Sequence, residues 1–483
     1  MNLQLLLNRI PMIHPLPAQA AEIEITGITD NSKLADSGSL FVAVKGFCDD
    51  GHEYIRSAIQ HGAAAIVGEQ PQPSLPVPYI QVPDSRKALG QIAGNFYGNP
   101  SGRKKVIGVT GTNGKTTTSF LLKHIFEQNG YTCSLVGTLH IEVNGEILPS
   151  GNTTPNALVL HKLLAESRDE VVIMEVSSHG LVQHRLEGIQ FDCCLFMNLH
   201  RDHLDYHGTM EAYFKSKSML FDKLKKDGTA VVNTDDYWGE KLAENLAGRV
   251  DRLVTIGSNG SNDLHILGFR KGDCLLIEED GGQAELCSPM KGMHNFYNTA
   301  LAYAAAKSQG IPAARILDVL PDFKGVSGRF EVTALPNGAT AVIDYAHTAD
   351  ALHYCLTTAK AQGAGRLIHV FGFRGNRDEG KRADMLEVSA KISDLYILTS
   401  DDLNSETAED MLKSLEVLNN EFGNEKGMII PDRSLAIQRA LEISNAGDWI
   451  VITGKGHESY KQRFQLGTNS DRETVRSISG LPS

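Results

Sequence analysis

The residues best placed to do chemistry lie at Gly111-Thr112-Asn113-Gly114-Lys115-Thr116-Thr117. Glycines at such a loop let backbone N–H groups turn inward around phosphate oxygens. Lys115 would neutralise the β- and γ-phosphates of a nucleotide, and the Thr116 hydroxyl would reach its magnesium ion. The run Val106–Thr110 comes before the loop. Phe120-Leu121-Leu122 and Ile125-Phe126 follow at helical spacing. That is the strand–loop–helix context of a phosphate loop, and the helix N-terminus adds its positive dipole end. The spacing G-x-x-G-K-T is shorter than G-x-x-x-x-G-K-[ST], although Gly108 preserves a G-x5-G-K spacing. A glycine turn before a helix is the bland reading. A lysine followed directly by three threonines favours nucleotide binding, and a nucleotide-driven motor or switch would carry the same loop.

Other groups collect at the ends of strand-like runs. Glu175 closes Val171-Val172-Ile173-Met174, at the C-terminal end where ligands gather in open α/β sheets. It reads equally as a metal-holding carboxylate or as a cap on the next turn. Ser177-Ser178-His179-Gly180 then offers small hydroxyls suited to close phosphate approach. His200-Arg201-Asp202-His203-Leu204-Asp205-Tyr206-His207 follows the strand-like Cys194–Asn198. Its density of titratable groups suits metal or phosphate work, with His200 and His207 read as surface or packing residues. Lys217 falls on a helical stretch expected from Tyr213 to Leu224, where an isolated lysine is ordinarily solvated. The loop Phe371–Asp378 carries Arg374 and Arg377, and a guanidinium grips carboxylate or phosphate as a bidentate fork. Gly454-Lys455-Gly456-His457-Glu458 adds a carboxylate suited to an amine. Both also read as solvent loops.

Three regions must position these groups. The first runs from residue 1 to about Gly102, with strand-like Ser39–Val44 and Ala63–Val67. Pro100-Ser101-Gly102 punctuates the chain before the next strand. The second region, residues 103–327, alternates short β-branched runs with helical patterns, as a parallel sheet with crossovers does. Its runs include Lys105–Thr110, Ala230-Val231-Val232 and Arg252–Ile256. The third, residues 328–483, repeats the alternation with four strands, at Ala341–Ile343, Leu367–Phe371, Tyr396–Thr399 and Trp449–Ile452. That reads as a small doubly wound domain.

Composition bounds the partners. With 46 Lys+Arg against 58 Asp+Glu the net charge is −12, which argues against a general nucleic-acid or anionic-membrane binder. Hydrophobic residues at 41% and charged residues at 22% exclude a disordered chain, and the length suggests two to four domains at ~100–200 residues each. The cysteines are Cys48, Cys133, Cys193, Cys194, Cys274, Cys287 and Cys355. Their irregular spacing gives no zinc signature and fits a reducing cytosol, so all seven read as small apolar fillers. Leu5-Leu6-Leu7 is stopped by Asn8-Arg9 with no basic residue ahead of it, so it reads as an amphipathic first helix rather than a signal peptide. No apolar run approaches the ~18 residues that span a bilayer. The expectation is a cytoplasmic protein.

Together, Gly111–Thr117, Thr153-Thr154-Pro155, Glu175–His179, Asp202–Gly208, Asp344-Tyr345-Ala346-His347 and Gly454–Glu458 resemble the Mur ligases over nearly the whole chain. These are ATP-dependent peptide-bond-forming ligases of peptidoglycan precursor synthesis. The chain looks most like the MurE type, which adds the third residue to UDP-N-acetylmuramoyl-L-alanyl-D-glutamate. The resemblance implies an α/β protein of three domains: a uridine-nucleotide-binding first domain, a central P-loop domain for ATP, and a Rossmann-like last domain for the amino acid. Asn31-Ser32-Lys33 stands where the family has D-S-R, with only Ser32 kept. Thr153, Thr154, Ser177, Gln183 and Arg185 correspond to muramoyl-peptide contacts. Glu175 and His203 correspond to residues of the magnesium site, with Thr116 on the nucleotide metal. Lys217 corresponds to a carbamylated lysine that supports a second Mg²⁺. Asn295, Arg329 and Asp344 fall near the adenosine and His347 by the phosphates.

The amino-acid pocket departs from that pattern. Diaminopimelate-adding members carry D-N-P-R where this chain has Asp401-Asp402-Leu403-Asn404. Asn404 thus replaces an arginine that clamps the incoming carboxylate, while Arg377, Gly454 and Glu458 keep their amino-acid contacts and Arg374 offers a replacement cation. The implied chemistry is attack of the substrate carboxylate on the γ-phosphate of ATP, then attack of an amine on the acyl phosphate. The amino acid is meso-diaminopimelate or a different one, and a specialised pathway with a related nucleotide-peptide is open. The expected enzyme is a monomer without nucleic-acid partners. Two rivals stand beside it: a folylpolyglutamate-synthetase-like ligase, and a nucleotide-binding scaffold without ligase activity.

Overall fold

Three sheets follow one another along the chain, and each is built around β-branched and aliphatic runs. The computed structural model describes residues 1–46, 49–72, 74–270, 274–375 and 378–481. The first sheet has four parallel strands in sequence order, Gly27–Thr29, Ser39–Val42, Ala65–Gly68 and Tyr79–Gln81. Its core gathers Leu3, Leu6, Leu40, Val42, Ala65, Val67 and Ile92.

The second sheet has eleven strands. Its centre is Lys105–Thr110, flanked in parallel by Val171–Glu175 and Phe191–Phe196. Register sets Val109 opposite Glu175 and Thr110 opposite Phe196. All three strands therefore end at one edge, where the phosphate loop begins. Gly108 sits within the central strand, and a Cβ there would stand 2.9 Å from the Phe191 ring. It is a packing glycine, so the G-x5-G-K spacing it preserves belongs to the core rather than to the loop. The helix Lys115–Gln128 buries Leu121, Leu122, Ile125 and Phe126 completely against this sheet. Each such side chain contributes about 1.5–3 kcal/mol.

The expected parallel sheet with crossovers forms the centre of the second sheet, and antiparallel hairpins extend it at both edges. His140–Val143 and Glu146–Pro149 form an antiparallel hairpin, as do Cys274–Glu279 and Gly282–Cys287. The turns are Asn144-Gly145 and Asp280-Gly281, all four residues at positive φ. That is the hairpin geometry Asn-Gly and Asp-Gly favour. The second hairpin corrects the cysteine reading. Cys274 lies directly opposite Cys287 and is disulfide-bonded to it. Cys133, Cys193, Cys194 and Cys355 are buried and free, as expected, and Cys48 lies outside the described residues. The helix expected over Tyr213–Leu224 spans Met210–Ser218, capped by the Thr209 side chain, and Leu224 instead opens a strand.

The third sheet has six strands rather than four, because short edges flank the four expected ones. Glu331–Ala334 pairs antiparallel with Thr340–Asp344, and Gly427–Ile429 pairs in parallel with Leu395–Ser400. Trp449–Thr453 and Leu367–Phe373 lie between them. Asp344, Gly454, Arg374 and Asp401 thus emerge from four neighbouring strand ends. Among the described residues, no helix is long and apolar enough to cross a membrane.

Candidate functional site

The phosphate loop is held in shape by the next strand end. Asn198 accepts from the Asn113 amide at 2.9 Å through its side chain and from the Thr112 amide at 3.0 Å through its carbonyl. Thr112 Oγ1 donates to the His200 carbonyl. Gly114 has φ +88°, and a Cβ there would meet Asn298 Oδ1 at 2.4 Å, so no other residue fits this turn. Lys115 Nζ donates to the carbonyls of Gly111 and Thr112, at 2.9 and 3.0 Å. Burial pushes its pKa down, opposed by the nearby carboxylates of Glu175 and Asp202.

Glu175 is buried at the loop's edge. Its carboxylate accepts from Thr116 Oγ1 at 3.0 Å, from Thr138 Oγ1 at 2.8 Å and from the Thr138 amide at 3.0 Å. Gly137 makes that seat possible, since a Cβ there would stand 2.3 Å from Glu175 Oε1. Thr138 also contacts Thr153 Oγ1 at 3.1 Å. Thr154 Oγ1 donates to the Glu175 carbonyl and accepts from the Ser177 amide. Ser177 in turn caps the helix Ser178–Val182. Of the muramoyl-peptide candidates, Thr154 is bonded directly to the metal-site candidate Glu175, while Thr153 reaches it through Thr138 and Ser177 through Thr154.

His203 takes a left-handed φ of +55°, which turns its ring back toward the loop, 3.4 Å from Asp202 Oδ2. Burial pushes its pKa down to about 3, so the ring is neutral at physiological pH. His207, read as packing, stacks on Tyr213 and meets Ser178 Oγ at 2.9 Å, while His200 lies 3.4 Å from Asp350. Lys217 is far from solvated. It is 1% exposed, donates to the Gly111 carbonyl at 2.9 Å and lies 4.7 Å from the Tyr213 ring centroid. Burial, reinforced by Lys115, drives its pKa well below the usual lysine range.

The last domain reaches this centre. Arg329 Nη2 donates to Thr116 Oγ1 at 3.1 Å, and its guanidinium lies 4.3 Å from the Tyr345 ring centroid. Its Nε is buried and has no hydrogen-bond partner among the described residues. Asp344 accepts from the amides of Phe330 and Ala346, which fixes the turn carrying Arg329. His347 Nε2 lies 3.6 Å from Asp202 Oδ2, and Lys381 Nζ donates to Asp202 Oδ1 at 3.1 Å. Against the effect of burial, the contact from His347, with His203 and Lys381 nearby, holds Asp202 well below the usual carboxylate range. A cleft of 490 Å³ unites Thr112–Thr117, Thr153, Glu175 and His203 with Asn295, Arg329, Asp344 and His347. Asn295 accepts from Asn298 at the start of the helix Met293–Ser308.

Other candidates fall elsewhere. Gln183 and Arg185 line a second cleft of 460 Å³, beside Asp30, Arg86 and Asn156. Arg185 donates to the Gln183 side chain and to the carbonyl of Thr154, the neighbour of Thr153 in the first cleft. Ser32 is buried in a short 3-10 turn capped by Asn31 and lines neither cleft. In the last domain Asp401 and Asp402 are 2% exposed and both accept from Lys455 Nζ, at 3.0 and 2.8 Å. Asn404 donates to the Gly375 carbonyl at 2.7 Å. Glu458 pairs with Arg374 and accepts from the Tyr345 hydroxyl at 3.0 Å, and Gly454 takes a left-handed φ of +109°. Arg377 lies outside the described residues. Sequence reading missed Thr138, Asn198 and Lys381, and gave Asp202 and Tyr345 no role beyond membership of a motif. Gly137-Thr138 and Asn198 do follow strand runs, which was the one signal for them.

A phosphate loop with an adjoining carboxylate, and a cation reaching it from the next domain, fits an ATP-dependent ligase assembled across domains. Family models match the chain in order: the Mur ligase family catalytic domain over residues 24–97, the Mur ligase middle domain over 109–306, and the Mur ligase glutamate ligase domain over 328–456. A UDP-N-acetylmuramoyl-L-alanyl-D-glutamate–2,6-diaminopimelate ligase of Aquifex aeolicus is 41% identical, covering 94% of both chains. The ligase of the same name from Parabacteroides distasonis is 39% identical over 96% of both. A solved structure bearing that name superimposes with a TM-score of 0.69 at 29% identity, over 97% of both chains. The chain belongs to the Mur ligase family. It is an ATP-dependent, ADP-forming ligase, which sets aside the inactive scaffold, and neither of these relatives is a folylpolyglutamate synthase.

Proposed function

We propose that this enzyme joins diaminopimelate to the D-glutamate carboxylate of UDP-N-acetylmuramoyl-L-alanyl-D-glutamate. The observation that carries the reading is the meeting of Thr116, Glu175 and Arg329 at one hydroxyl, which assembles a phosphate site only when two domains are together. The substrate follows the relatives' names. The carboxylate attacks the γ-phosphate, ADP departs, and the amine of the incoming amino acid displaces phosphate from the acyl phosphate. Two anions must approach for the first step, and Lys115 and Arg329 offset their repulsion. Gln183 and Arg185 hold the nucleotide-peptide in the second cleft, and Arg185 reaches the Thr154 carbonyl beside the reaction centre. Domain boundaries at residues 102 and 327 fit the described strands, none of which pairs across either point.

Magnesium fits the donors present. Thr116 and Glu175 offer hard oxygens beside a phosphate loop, and neutral His203 adds a nitrogen. Bound there, Mg²⁺ would neutralise phosphate charge. Lys217 meets the requirement for carbamylation, since burial favours its uncharged amine, and the added carboxylate would support a second ion. The test is phosphate release from ATP with the nucleotide-dipeptide and a panel of amino acids. Wild-type protein should turn over with diaminopimelate and Lys115→Ala should not. Near wild-type turnover in that variant would sink the assignment of the loop, and turnover with another amino acid alone would correct the substrate.

A further inference from the structure

Charged groups crowd the four strand ends of the last domain, and the structure divides them into sealed and accessible sets. Lys455, Asp401 and Asp402 have side chains only 0–2% exposed, and the lysine ammonium donates to both carboxylates. Asn404, on the neighbouring loop, is engaged with the Gly375 carbonyl. Arg374 and Glu458 keep 23% and 26% of their side-chain surface and pair with each other. Arg374 also lies 3.4 Å from Asp401 Oδ2 and 3.4 Å from the Gly454 carbonyl, so its head is fixed from behind.

Tyr345 connects this pair to the phosphate site. Its hydroxyl donates to Glu458. Its ring is flanked by Arg329, 4.3 Å from the centroid, and by Arg374, 5.8 Å from it. One arginine thus serves the phosphate end and the other the far end, with an aromatic ring between them.

We propose that Arg374 is the specificity-determining cation of the amino-acid site, receiving the far carboxylate of an amino acid whose side chain ends in its own zwitterion. The inference rests on the substrate reading above. An accessible arginine–glutamate pair can open around a zwitterion without leaving a charge unpaired. The substrate carboxylate replaces Glu458 on the guanidinium, and its ammonium replaces Arg374 on Glu458. A guanidinium takes a carboxylate in a fixed fork that lysine cannot copy. An amino acid ending in an ammonium alone would break the pair and leave the guanidinium short of a partner.

The experiment compares Arg374→Gln, Arg374→Lys and wild type with diaminopimelate and with lysine, which lacks the far carboxylate. ATP titration of each protein serves as the folding control. Arg374→Gln should raise KM for diaminopimelate roughly 10- to 100-fold, as loss of a charge-assisted bond does. KM for ATP should hold, lysine turnover should stay level or rise, and Arg374→Lys should recover part of the loss. Equal effects on both amino acids, or none on diaminopimelate, would overturn the role of Arg374 while leaving the substrate reading intact. Wild-type protein that rejects diaminopimelate would overturn both.

Discussion

Glu175 owes its position to two residues that do no chemistry themselves. Gly137 leaves the space its carboxylate fills, and Thr138 supplies two of its three hydrogen bonds. Gly137→Ala should therefore push the carboxylate off Thr116. Turnover should fall by an order of magnitude or more, since a donor–acceptor geometry is lost at the reacting centre. Magnesium titration should show a higher half-saturation, and the circular dichroism spectrum should not change. Wild-type magnesium dependence would contradict this account of the seat. Lys115 and Glu175 were legible because a glycine loop and a strand-end acid are local patterns. Thr138 was not, since its partner lies 37 positions away and a threonine after a strand is unremarkable alone. Lys217 shows the same limit. Its helix pattern suggested solvent, yet packing against Gly111 and Tyr213 buries it.

Among the elements, the strand Leu367–Phe373 carries a buried histidine with no part in the site. His369 lies between Ser389 Oγ at 2.7 Å and Thr453 Oγ1 at 2.9 Å. Burial pushes its pKa down to about 3, against about 6.5 in an unfolded chain. The folded protein thus holds this ring neutral where the unfolded chain takes up a proton. Its contribution is complete above about pH 6.5 and is lost progressively as the pH falls toward 3. Partly exposed His203 and half-buried His207, pushed by desolvation to about 3 and about 4, act in the same sense. The urea midpoint should drop between pH 7.5 and pH 5, and His369→Gln should flatten part of that drop. An unchanged slope in the variant would refute the assignment. The alternation of apolar runs made the parallel strands legible. The two edge hairpins were marked only by Asn144-Gly145 and Asp280-Gly281, and the Cys274–Cys287 pairing depends on a register that no local pattern encodes.

At the scale of the whole molecule, three consecutive residues of the middle domain engage the last one. His200 meets Asp350, Arg201 meets Asp384, and Asp202 meets both His347 and Lys381. The first two pairs are exposed enough that solvent screens them. Asp202 is buried, so the contacts to it dominate. Lys381→Met should leave that carboxylate short of a cation and weaken the docking of the last domain. Scattering should report a larger radius of gyration and kcat should fall. ATP affinity should weaken along with docking, because Arg329 reaches the phosphate site from the last domain. A large loss of ATP binding with unchanged dimensions would point away from docking. The net charge of −12 is compatible with anionic substrates because Lys115, Arg185 and Arg329 line the clefts.

The bond between Arg329 and Thr116 makes the free metal ion a competitor for an interdomain contact. A threonine hydroxyl has one proton and two lone pairs. At Thr116 the proton serves Glu175 and a lone pair serves Arg329. A divalent cation arriving at that oxygen meets a guanidinium already there, and the two charges repel at short range. Magnesium without nucleotide should therefore loosen the last domain, whereas magnesium with ATP gives Arg329 a phosphate to hold and tightens it. Limited proteolysis around Ser327 would read the difference directly: faster cleavage with the ion alone, slower with both. Order of addition would then matter in the assay, with the salt acting as an antagonist of assembly until the nucleotide joins it.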